Sequence, residues 1–170
     1  MRNPCLDLHS TIQEHFEFLL SERGYVAVSE DAGGGNGCAI VMEGNSIRVK
    51  FYTAQDEPLN VLVGDASAPL GWAEDVNGVK KWHYLTGIAG YLEGDLAIGE
   101  RVAQMSREEW SRERRNEPKR LSSLLRGHIV EIERLFSDGE FDLIRDDYDH
   151  YRQAADVRTR AALEAKAGRR

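Results

Sequence analysis

Cysteine is almost absent from this chain: 170 residues hold two, Cys5 and Cys38, alongside four prolines and three methionines. The two stand far apart and form no CxxC pair, so neither a disulfide framework nor a cysteine metal site is indicated, and both are expected to be reduced thiols. Long apolar runs are missing too. No window approaches the roughly eighteen consecutive apolar residues of a membrane span, and the opening Met-Arg-Asn-Pro-Cys-Leu-Asp lacks the apolar stretch of a signal peptide. The expected location is the cytoplasm, with no membrane partner. Catalytic punctuation is equally sparse. His9, His15, His83, His128 and His150 make no HxH or HExxH spacing. No GxSxG or SxxK nominates a nucleophile, and no repeat or low-complexity tract is present.

What the chain does have is an ordinary globular balance, 41% hydrophobic and 30% charged residues, enough for one folded domain of residues 1–170. Its net charge of −7 is divided unevenly. Residues 1–100 carry 6 Lys and Arg against 15 Asp and Glu, a net of −9, whereas residues 101–170 carry 16 against 14. An acidic body repels nucleic acid and suits a basic protein partner.

Residues 1–66 read as a helix plus a sheet. Ser10-Thr11-Ile12-Gln13-Glu14 resembles a capped helix start, and Ile12, Phe16, Leu19 and Leu20 follow on one apolar face until Gly24 offers a cap. From Tyr25 the period becomes two. Tyr25–Ser29, Cys38–Met42, Ile47–Tyr52 and Leu59–Val63 are strand-length and rich in β-branched residues. In the third, Ile47, Val49 and Phe51 alternate with Arg48, Lys50 and Tyr52, which predicts a sheet with one wet face. Gly44-Asn45 suits a two-residue hairpin with positive φ. Gly33-Gly34-Gly35-Asn36-Gly37 could cradle a phosphate, but it leads into a strand with no lysine nearby, so it reads as a hairpin loop.

Residues 79–166 read as mainly helical. Trp82, Leu85, Ile88, Ala89 and Leu92 sit at helical spacing over 79–91, against the interruptions Gly87 and Gly90. Ser106 is a plausible cap for a helix over 106–116, which Pro118 ends or kinks. Leu121, Leu125, His128, Ile129, Ile132 and Phe136 form the strongest stripe, Gly139 breaks it, and Phe141, Ile144, Tyr148, Tyr151 and Ala155 continue after it. Residues 167–170 form a frayed tail. The expected fold is α+β: a four-stranded antiparallel meander with an N-terminal helix and a C-terminal helical hairpin on one face.

Two sets of residues are candidates for function. Trp72, Glu74 and Asp75, in a Gly- and Pro-flanked acidic loop, and Trp110, on a charged helix, would anchor a protein partner. Alternatively Asp146, Asp149 and His150, at i, i+3 and i+4, would hold a divalent metal or act as acid and base in a small-ligand enzyme. Arg112, Arg114, Arg115, Lys119 and Arg120 are interleaved with Glu108, Glu109, Glu113 and Glu117, which favours ion pairs within the helix over contact with phosphate. No cofactor is expected.

The order "FEFLLSERGYVAVSE", "CAIVMEGNSIRVKFY", "LNVLVG" and "LSSLLRGHIVEIERLFSDGEF" resembles a pattern in small bacterial proteins, some of them like the immunity proteins of contact-dependent or polymorphic toxin systems. The resemblance implies a cytoplasmic bacterial binding protein and carries no site residue with it.

Overall fold

Asn3 begins the first helix. Its side chain accepts a hydrogen bond from the Cys5 amide (3.0 Å), and Pro4 at the first helical position loses no bond there, so α1 spans Pro4–His15. Ser10 and Thr11 are thus mid-helix, correcting the expected start. Their hydroxyls donate back to the carbonyls of Leu6 and Asp7, 3.0 Å each. Phe16 breaks the run and α2 continues over Glu17–Ser21, with Gly24 at a φ of +70° before the sheet. The computed structural model describes residues 3–33, 37–54, 57–137 and 139–168.

The sheet follows the expected meander and adds a strand. β1 (Val26–Asp31), β2 (Cys38–Glu43), β3 (Ile47–Thr53), β4 (Asn60–Asp65) and β7 (His83–Tyr84) pair antiparallel in the order β1-β2-β3-β4-β7. Between β4 and β7 lies a small hairpin of β5 (Asp75–Val76) and β6 (Val79–Lys80). Asn77 (φ +53°) and Gly78 (φ +77°) take the positive-φ pair that a tight hairpin of this hand requires. The expected helix over 79–91 is therefore a strand first and α3 (Leu85–Glu93) afterwards. Gly44 and Asn45 are not among the positive-φ residues. A Cβ on Gly44 would instead lie 2.4 Å from the Tyr25 ring, so the close approach of that ring demands the glycine.

The helices then form a layer on one face. α4 (Ile98–Gln104) was not expected, because its apolar face is short; it packs along α6 (Glu140–Ala167). There Lys166 donates to the Ala103 carbonyl (3.1 Å) at the end of α4 and Arg158 pairs with Glu100 (2.9 Å). α5 runs from Arg107 to Ser137 straight through Pro118. The Pro costs about 3 kcal/mol, which the burial of Leu121, Leu125, Ile129 and Ile132 beyond it outweighs. The start of α5 is fixed by reciprocal capping: Ser106 Oγ accepts from the Glu109 amide (3.1 Å) and Glu109 accepts from the Ser106 amide (2.7 Å). Gly139 (φ +69°) turns the chain into α6, as expected. Gly168 caps α6, and residues 169 and 170 of the expected tail lie outside the described residues.

The main core lies between sheet and helices. Phe16 and Phe51 meet edge to face (4.8 Å between ring centres) in a core that also holds Leu8, Ile40, Val49 and Leu125. Cys5 and Cys38 are joined there in a buried disulfide, which corrects the expectation of two free thiols: 33 positions apart in sequence, they lie in the first turn of α1 and at the start of β2, with Cα atoms 5.2 Å apart. The opposite sheet face is not wet over its middle. The segment between β4 and α3 folds across it, and Val41, Leu62, Ala68 and Trp82 make a second, smaller core with Tyr52 against it. Lys50, predicted to face water, is 2% exposed. Its Nζ donates to the Ala73 carbonyl (2.8 Å) and lies 4.6 Å from the Trp82 ring centre.

Candidate partner-binding groove

The helical layer stops short of one edge of the sheet. α1 packs on β2 and β3 and α5 on β3 and β4, while β1, an edge strand whose strand pairing among the described residues is with β2 only, exposes Val26, Ala27 and Val28. A groove of about 380 Å³ opens between α1–α2 and this edge. Its floor is Ile40 and Met42 of β2 with Ala27 of β1, and Ile12 and Leu20 form the wall. The register explains the floor: Ala27 lies opposite Met42 and Glu30 opposite Ile40, so these β1 side chains share the core face of the sheet. Val28 falls where that register shifts, a bulge in the middle of the strand.

Polar groups rim the groove. His9 Nε2 and Glu30 Oε2, 2.7 Å apart, tie α1 to β1, and Glu17 of α2 is exposed with no side-chain partner among the described residues. Beyond the other end, Tyr25 donates to Glu133 (2.9 Å) and Arg23 pairs with the same carboxylate. Burial, reinforced by that carboxylate, holds the Tyr25 phenol above its usual range. This brace fixes the start of β1 to α5.

The expected anchors lie elsewhere. Trp72 is half-buried against Gly33 and Gly37: a Cβ on Gly33 would come within 2.9 Å of its indole and one on Gly37 within 3.3 Å, and Tyr52 packs edge-on at 5.7 Å. Gly33 and Gly37 leave room for that tryptophan; residues 34–36 lie outside the described residues. Glu74 and Asp75 are exposed beside it, and the Asp75 carboxylate accepts from the Gly78 amide (3.3 Å). Trp110 is 39% exposed on α5, and no hydrogen bond or ring contact joins it to the Trp72 loop among the described residues. Asp146, Asp149 and His150 are exposed on α6, and among the described residues no group of three His, Cys, Asp or Glu is placed to hold a metal ion. In the basic cluster, Arg120 pairs with Glu117 (2.8 Å).

Two buried titratable groups, His83 and Lys50, lie away from the groove. His83, 6% exposed, is ringed by Phe136, Phe141 and Tyr148, and its Nδ1 has no hydrogen-bond partner among the described residues. Burial, helped by the charges of Lys80, Arg145 and Arg152, lowers its pKa to about 4. Lys50 is lowered to about 8, also by burial, against the opposing pull of Glu74.

Sequence reasoning missed the groove, although two of its residues carried a signal: Leu20 ends the first apolar face, and Ala27 lies in the first strand. Nothing local says that no helix covers them. Comparison of the chain with family models, curated proteins and solved structures finds no match.

Proposed function

We propose that the protein is a non-enzymatic binding domain whose acidic sheet half receives a basic protein partner at the groove beside β1, in the manner of an immunity or adaptor protein. The observation that carries this reading is the groove itself: an apolar trough at an uncovered sheet edge, with Glu17 on its rim, unpaired among the described residues. The net charge of −9 over residues 1–100 adds long-range attraction for a basic surface and repulsion for nucleic acid. Among the described residues no helix is long and apolar enough to cross a membrane. A cytoplasmic location, as the sequence suggests, requires Cys5 and Cys38 to be thiols there; their paired state belongs to oxidising surroundings.

The test is affinity capture from the host lysate with the wild-type protein and an Ala27→Arg variant, at low and high salt. A stoichiometric protein retained by the wild type, lost with Ala27→Arg and weakened by salt, is the expected result. Capture that is empty, or indifferent to Ala27→Arg, refutes it.

A further inference from the structure

The groove has a shape that discriminates between the two ways a polypeptide segment could occupy it. Strand addition needs a regular row of free backbone groups, and β1 does not offer one: the register shift at Val28 divides its pairing into Val26–Ala27 and Ser29–Asp31. Bulges of this kind protect edges from pairing. Burial of side chains needs no such regularity. The layer that covers the sheet is helical, it ends at α1 and α2, and the strand left bare presents a small residue, Ala27, to the space beside them. A helix can approach a neighbouring helix to about 8–10 Å when the residues between are small.

Charge selects the flank of that helix. Among the described residues Glu17 stands on the α2 wall without a side-chain partner, Glu30 lies beside the groove bonded to the lining His9, and no lysine or arginine is among the residues that line it. Leu20, 42% exposed, extends the apolar wall of the trough towards solvent. Apolar residues at i, i+3, i+4 and i+7 would fill the trough while lysines or arginines beside the stripe meet the rim.

We infer that the groove receives an amphipathic helix of a partner protein, apolar along one stripe and basic on its flank, seated over Ala27 as the missing member of the helical layer. This rests on the binding reading above and narrows it to one class of segment.

The probe is an 18-residue peptide with leucines at i, i+3, i+4 and i+7 and lysines flanking them, compared with a scrambled peptide of the same composition, each titrated into the isotope-labelled protein. The striped peptide should shift the methyl resonances of Ala27, Ile40 and Met42, and the scrambled one should not. Ala27→Arg should weaken binding about tenfold or more, and Glu17→Lys, at an exposed position that leaves the packing intact, should weaken it and flatten its salt dependence. No shift at these methyls, equal binding of both peptides, or indifference to both substitutions overturns the inference. The two proposals fail differently. If lysate capture depends on Ala27 but the captured partner protects the β1 amides from hydrogen exchange as an added strand would, the helix is wrong and the binding function stands. If capture ignores Ala27, the binding function falls with it.

Discussion

Reducing the Cys5–Cys38 bond should cost this fold about 4 kcal/mol. The bond closes a loop spanning a sequence separation of 33. In the chain-entropy account, a loop of that length removes about 12–13 cal/mol/K from the unfolded ensemble, which at room temperature is about 3.7 kcal/mol. The elements joined are not otherwise weakly held, since Leu8 and Ile12 bury α1 in the main core, so the reduced protein should stay folded but be easier to unfold. Urea denaturation followed by circular dichroism, with and without reductant, measures this. With an m-value of about 2–3 kcal/mol/M, the midpoint should fall by about 1.5 M on reduction. The native protein should resist thiol reagents without denaturant, because both sulfurs are buried. Two thiols titrating in protein purified without reductant, or a midpoint unmoved by reduction, would refute the staple.

Three further outcomes follow from the interior. His83 has a folded pKa near 4, below its ordinary value of about 6.5, so the unfolded chain binds more protons in that window and stability is lost as pH falls from about 6.5 to 4; His83→Phe, which fills the aromatic ring of neighbours without an unpaired nitrogen, should lessen that loss by up to about 3 kcal/mol at pH 4 in paired urea titrations. Lys50 is likewise lowered, to about 8 from 10.5, so its charge burdens the fold below pH 8 and the burden is relieved as pH rises towards 10.5; Lys50→Met should reduce the gain in stability between pH 8 and 10, read by thermal melting at each pH. Gly44→Ala should lower stability by about 1–3 kcal/mol by forcing a methyl into the Tyr25 ring, and pairing it with Tyr25→Ala in a double-mutant cycle should show strong coupling.

The sheet was legible because its alternation is local: Ile47, Val49 and Phe51 point to the core as their spacing says. The long stripe of α5 was legible for the same reason. Errors arose where one local signal imitated another. Ser10 and Thr11, followed by Gln13 and Glu14, imitate a helix start, while Asn3-Pro4 makes the true one. Trp82, spaced helically with Leu85 and Ile88, belongs instead to the segment that crosses the outer sheet face; the Asn77-Gly78 pair just before it was the sign of a hairpin. Lys50 seemed destined for water because alternation says which face a side chain takes, not what covers that face. The disulfide and the groove were illegible in principle. One depends on two residues meeting across 33 positions, the other on a helix that this layer does not contain.

The placement of the tryptophans decides what an optical experiment on this protein would see. Trp72 and Trp82 both belong to the cover over the outer sheet face, Trp110 lies on the exposed start of α5, and none of the three is in the main core. Tryptophan emission therefore watches the cover, while far-ultraviolet circular dichroism watches the helices on the other side of the sheet. Coincident melting curves would mean that the cover and the main core are one cooperative unit. An emission change that comes first would mean that the cover lifts from a sheet still held by its helices, exposing Lys50 and the outer face as a state of its own.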